Sequence, residues 1–411
     1  MKWKTTSLEK KWIFYDVGNS AFTLLVSTIM PIYFNYLASS AYVSEVNYLA
    51  FWGYATSAAT IITALLGPVL GTVSDFRGWK KRLFLISLLT GACGCIVLGF
   101  LSSWIWFLLI FILAKAAYSL SLIFYDSMLT DVTTEERMDE VSSRGYAWGY
   151  IGSCIPFIIG ILLILVRPFG LSTQAATQIS FVITALWWVG LTIPLLKNVH
   201  QTHYLENRAN QVSHALSRIG QTLKKIRKNP SVLYFIIAYF CYIDGVYTII
   251  SMATTYGGEV GISDTNMILA LLLTQFIAFP CAIFAGNLAE KVGTLKVIRV
   301  SILIYCGICI FGYQLDKAWE FWVLAVVVGM AQGGIQSLSR SYFGRLIPKN
   351  ESNEYFGFFD IFGKFADFFG PMIMSFCALV LGSSTYGILG LLLLFVVGYV
   401  LLRKIPENQE K

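Results

Sequence analysis

Lys115, Asp244, Asp360, Lys364 and Asp367 each stand in a long apolar run of a 411-residue chain. The last three fall at i, i+4 and i+7, so on a helix they share one face. Gln332 and Gln336 repeat the four-residue spacing in a neighbouring run. Ionisable groups in such surroundings are costly unless they pair or serve a polar path, which makes them candidates for function. The chemistry open to them is recognition: a lysine suits a carboxylate and an aspartate an ammonium, so the mixed set suits a small zwitterion. A desolvated carboxylate can instead hold a proton near neutral pH, making a proton the one coupling ion to expect. Asp360 and Lys364 can also neutralise each other, but Asp367, Lys115 and Asp244 exceed what that pairing needs. A second set, Asp16, Asn19, Asp126, Arg144 and Arg340, lies nearer the ends of apolar runs and suits a gate of ion pairs that form and break. Nothing matches a phosphate-binding glycine loop or a Ser/His/Asp set, so neither an enzyme nor an ATP-driven pump is expected. The eight cysteines sit in apolar segments and the three histidines in one polar stretch, so no metal or other cofactor is expected.

The elements that must hold these groups are membrane spans. The chain is 56% hydrophobic and 13% charged, where a soluble domain carries about 25% charged residues. A span needs about 20 apolar residues. Twelve fit: Trp12–Leu37, Val46–Leu70, Leu83–Leu101, Trp104–Asp126, Ser142–Val166, Ala175–Leu196, Val232–Tyr256, Thr265–Leu288, Leu295–Gln314, Trp319–Ser339, Ser352–Leu381 and Ser384–Leu402. Basic residues gather in alternate loops, including Lys2–Lys11, Arg77–Arg82, Arg208–Lys228 and Arg345–Lys349. That alternation accounts for the net charge of +7 without nucleic acid, and predicts a multi-pass protein of the cell membrane with both termini cytoplasmic. The chain is expected to act as a monomer. Within 197–230, Leu216, Ile219, Leu223 and Ile226 repeat at helical spacing among basic residues, predicting a linker helix on anionic inner-leaflet lipids. The expected organisation is a six-helix half over 1–196, the linker over 197–230 and a second six-helix half over 231–411.

Two loops repeat one pattern. Gly71, Asp75 and Gly78 precede Lys80, and Gly286, Glu290 and Gly293 precede Lys296, with 286 − 71 = 215 residues between the copies. A spacing near half the chain length is what two structural repeats produce. Glycine lets helix ends approach closely, while the carboxylate can take a basic partner or a neighbouring helix N-terminus. On this motif the chain resembles the major facilitator superfamily. Tyr15-Asp16-Val-Gly-Asn19-Ser20, Ser143-Arg144-Gly145-Tyr146, Asp244-Gly245-Val246 and Gly333-Gly334-Ile-Gln336-Ser-Leu-Ser339-Arg340 further resemble the vacuolar effluxer family. The resemblance implies an all-α membrane protein of twelve transmembrane helices in two pseudo-symmetric six-helix bundles. It also implies amino-acid export by alternating access, with helices one, four, seven and ten around a central cavity.

Helical rise sorts the charges by depth. Asp16, Asp126, Arg144 and Arg340 fall near the cytoplasmic ends, as a gate requires. Asp244 lies about 21 Å into helix seven, Lys115 about 17 Å into helix four and Lys364 about 18 Å into helix eleven, so these are expected to converge at mid-membrane from both halves. The function predicted is secondary transport of a small polar or zwitterionic solute. A sugar or amphipathic drug transporter of the same fold is the alternative, and a non-transporting receptor or scaffold a remote one.

Overall fold

The computed structural model describes residues 5–43, 45–206, 211–259, 261–381 and 385–406. Among them the chain is helical almost throughout. The first span is α1 (Ser7–Ser27) and α2 (Ile29–Ser40), broken at Thr28. The break has a local cause: the Thr28 hydroxyl takes the Leu24 carbonyl, and Pro31 has no amide to continue the ladder. The N-terminal half continues with α3 (Glu45–Ser74), α4 (Trp79–Phe100), α5 (Trp104–Ser127), the single turn α6 (Leu129–Val132), α7 (Met138–Val166) and α8 (Thr173–Asn198). The linker carries α9 (Gln211–Lys228). The C-terminal half is α10 (Pro230–Glu259), α11 (Asp264–Val292), α12 (Thr294–Gly312), α13 (Ala318–Leu346), α14 (Ser352–Leu381) and α15 (Thr385–Arg403).

All twelve expected spans are present. Eleven segments are long and apolar enough to cross a membrane by composition among the described residues. The twelfth, α14, has the length at 30 residues and includes positions whose side chains lie outside the described residues. The largest departures are at helix ends: α1 begins at Ser7, α7 at Met138, and α13 runs on to Leu346. These extra turns are polar, and much of their surface is buried against other helices rather than in lipid, so hydropathy alone stops short of them.

Each half is packed around aromatic side chains. In the N-terminal half Trp12 stacks on Tyr125 at 4.5 Å between centroids, and Tyr15 packs on Phe84 and Tyr125. In the C-terminal half Phe235, Phe343 and Phe359 stack together beside Tyr239. The halves meet where α3 packs on α14, and α7 on α11 and α13. The end of the bundle that carries α9 and the first turn of α1 is the terminal face.

The linker helix forms as expected and packs part of its stripe on the bundle. Ile226 is buried and Ile219 packs against the core, while α9 lies against α3 and α10. Those two positions of its apolar stripe therefore cover protein. Leu223 is half exposed, and the side chain of Leu216 lies outside the described residues.

Candidate functional site

The loop motif is built as its spacing requires. Gly78 (φ 80°) and Gly293 (φ 98°) hold the positive φ at the N-caps of α4 and α12, a region that disfavours any side chain. Gly71 faces Asn353 so closely that a Cβ would lie 2.5 Å from its carbonyl oxygen. Gly286 on α11 is the counterpart, where a Cβ would meet Ser143 of α7 at 2.7 Å. The two acids differ. Asp75, fully buried, accepts from the Asn353 amide (2.9 Å), Asn353 Nδ2 (2.8 Å) and the Glu354 amide (3.1 Å). It thus holds the N-terminus of α14, in the opposite half, where free amides and the helix dipole favour an anion. The nearby base, Lys80, is taken by Asp131 at 2.7 Å. Burial pushes Asp75 up to about 7, against the pull of the Asn353 bonds. Glu290 is exposed and lies in electrostatic range of Asp139 and Glu140, so the second copy keeps the glycines without this cap.

The centre of the terminal face is Arg340 on α13. Its Nη1 donates to Asp126 (3.0 Å), Nη2 to Asp16 (3.1 Å) and to the Ser142 carbonyl (3.0 Å), and Nε to Ser142 Oγ (2.9 Å). The guanidinium lies 4.7 Å from the Trp12 ring centroid and 4.4 Å from that of Tyr146. One cation of the C-terminal half is therefore gripped by α1, α5 and α7 of the other. Gly145 makes room for it: a Cβ there would stand 2.3 Å from Asp16 Oδ2. Asp16, Asp126 and Arg340 are thus brought together as expected. Asn19 is buried on α1, one turn from Asp16, outside this set of bonds.

Arg144 is a correction. It pairs with Glu140 on its own helix (2.6 Å) and donates to Thr5, away from Arg340. Depth gave its height along α7 but not the face it occupies. Sequence reasoning also missed a second joint. Asp139 on α7 pairs with Arg345 on α13 (2.9 Å) and accepts from Thr294 (2.6 Å) and Ser341. Ser142 and Ser143 bond Ser337, and Tyr150 donates to Gln336 Oε1 (2.7 Å). The serines at 142, 143, 337, 339 and 341, dense for an apolar stretch, were the available signal.

The mid-membrane set is described in part, over Lys115, Asp244, Asp360, Gln332 and Gln336. Asp244 is fully buried, and accepts from the Gly370 amide (2.9 Å) and more distantly from Thr248 (3.5 Å). Through the Gly370 bond it ties α10 to α14 within one half. Lys115 is half-buried on α5, its ammonium 5.9 Å from the Phe111 centroid. One turn on, Tyr118 bonds Thr23 of α1 (2.7 Å). Asp360 lies in electrostatic range of both Tyr118 and Asp126, so it approaches the N-terminal half. Gln332 and Gln336 are buried on α13, and Gln332 lines an apolar cavity of about 100 Å³ with Thr248, Thr274 and Gln275. The side chains of Lys364 and Asp367 lie outside the described residues.

Twelve spans in two halves, joined at one face by ion pairs and glycine contacts, define a major facilitator fold. Solved structures agree. The FucP transporter in the outward conformation aligns at TM-score 0.72 and 15% identity, over 97% of this chain and 98% of that one. A bacterial homologue of the iron transporter ferroportin in an outward-facing state aligns at 0.68 and 13%, over 98% of each. Sequence narrows the class. The family model “Vacuole effluxer Atg22 like” matches residues 4–411. The uncharacterized MFS-type transporter YxiO of Bacillus subtilis is 42% identical over 98% of this chain and 96% of its own. Autophagy-related protein 22 of Kluyveromyces lactis is 24% identical over 76% and 70%. The chain belongs to the vacuole effluxer Atg22-like family of major facilitator transporters.

Proposed function

We propose that this protein is a secondary active transporter exporting a small polar or zwitterionic, amino-acid-like solute from the cytoplasm by alternating access. The terminal face is the cytoplasmic side in this reading, since the basic loops lie there. The observation that carries the proposal is the Arg340 latch. Its ion pairs join the two halves at one face, as a gate must, while charged and hydroxyl groups lie deeper. Lys115 would take the solute carboxylate, with Asp360 or Asp367 taking its ammonium. Proton coupling would run through Asp126 or Asp360, carboxylates that lie within each other's field near the latch. Asp244 has a supporting role, because its bond to Gly370 fixes α14 beside the path. The family description, vacuole effluxer, supports the direction.

Flux of labelled amino acids into and out of proteoliposomes, with and without a proton gradient, tests the reading. Saturable amino-acid flux abolished in Lys115→Gln is expected. A sugar or amphipathic drug carried with Lys115→Gln unimpaired refutes it.

A further inference from the structure

The linker between the halves is tied at both ends to the same joint. At its start, Leu205 pairs with the first loop: its amide donates to the Asp75 carbonyl (2.8 Å) and its carbonyl accepts from Arg77 (3.0 Å). Gln201 accepts from the Gly78 amide and donates to the Ser74 carbonyl. Thr202 and His203 add three amide and hydroxyl bonds to Asp131, which also holds Lys80. Further on, α9 reaches the opposite half. Arg218 Nη2 stands 2.9 Å from Glu354 and 3.5 Å from Glu351, and Lys225 stands 2.9 Å from Glu351. The Arg218 guanidinium also lies 5.9 Å from the ring of Phe76, the residue after Asp75.

Glu354 makes this arrangement consequential. Its carboxylate is fully buried, and its own amide donates to Asp75. Closing the terminal face therefore brings two buried acids, Asp75 and Glu354, to one helix N-terminus. A helix end stabilises one anion well, whereas a second nearby anion repels the first. Lys80 is already paired with Asp131, so Arg218 is the cation placed on Glu354. We propose that Arg218 is a positioning residue of the gate: it neutralises Glu354 as α14 docks on Asp75, and so makes the linker a strap that favours the closed terminal face. The proposal rests on the alternating-access reading but involves no solute.

Hydrogen–deuterium exchange of the full-length protein in nanodiscs tests it without any transport measurement. In Arg218→Gln, exchange should rise about tenfold at the start of α14 (Ser352–Phe359), and also at the separate joint over residues 138–146. Arg218→Lys should restore most of the protection. Arg218→Gln combined with Glu354→Gln should restore it too, because the second buried acid is then gone. A rise confined to α9, or a double variant as exposed as Arg218→Gln alone, overturns the proposal. A uniform rise in every helix that the double variant does not reverse overturns it as well. Lys225→Gln, altering a half-exposed pair, should leave both joints protected. Since no flux is read, failure here leaves the solute assignment standing.

Discussion

Arg340→Gln isolates the latch. Replacing it removes four hydrogen bonds and two ion pairs, and leaves Asp16 and Asp126 facing each other with the cation gone. Breaking a buried pair in this way costs about 3–5 kcal/mol, mainly because the remaining charges are stranded. Asp126 keeps 22% of its side-chain surface, so water screens part of that penalty and the lower end, about 3 kcal/mol, applies. The cost falls on the closed terminal face alone, because an open face would solvate both acids. About 3 kcal/mol is roughly a 150-fold shift in the closed-to-open ratio. Spin labels at the exposed positions Arg82 and Arg403, one in each half, should report a longer, broader distance in Arg340→Gln. Adding Asp16→Asn should recover part of the closed population, since one stranded charge is gone. A distance distribution identical to that of the parent protein would refute the idea that Arg340 holds the face shut.

Gly71→Ala should open the same face by a steric route. Its Cβ would stand 2.5 Å from the Asn353 oxygen, a backbone atom that cannot rotate away, so about 1–3 kcal/mol against closure is expected in the same distance measurement. Asp75 predicts a pH dependence. Its value in the closed state is about 7, raised by burial from 3.8, so the closed face binds the proton more tightly than an open, hydrated one. The resulting preference is complete below about pH 4 and is lost as pH rises through about 7, so closure should weaken from pH 6 to pH 8. Asp75→Asn should flatten that dependence in the Arg82–Arg403 distance. Asp244→Ala should act on stability: it strands the buried Gly370 amide, at about 1–3 kcal/mol, lowering the melting temperature, whereas Asp244→Asn should keep most of the parent value.

The twelve spans were legible because apolar length leaves little choice in a bilayer, and the motif repeat gave the two halves their register. The Asp75 loop was legible down to its alternatives, a basic partner or a helix N-terminus. The structure gives the helix N-terminus, with Lys80 diverted to Asp131. Counting residues gave height but never the direction a side chain faces. Asp16, Asp126 and Arg340 meet because they share both, whereas Arg144 turns to Glu140. The Asp139–Arg345 joint was invisible for another reason. Both residues lie beyond the apolar runs, in turns that hydropathy reads as loop and that fold as helix because the opposite half covers them.

The chemistry of those joints differs from that of the halves they connect, and the difference follows from the need to open. Inside each half the contacts are stacked aromatic rings, whose burial is favourable everywhere and costly to undo. Between the halves at the terminal face they are serine hydroxyls, carboxylates, one buried arginine and glycine backbones. A hydrogen bond across the joint exchanges for one to water at a net of only about 0.5–1.5 kcal/mol. Glycine contacts leave little apolar surface to hydrate when they part. The joint can therefore be shape-specific when closed and still lie within a few kcal/mol of open, the range that binding of a small solute or a proton can tip. A leucine-lined joint of the same area would close as well and would not reopen.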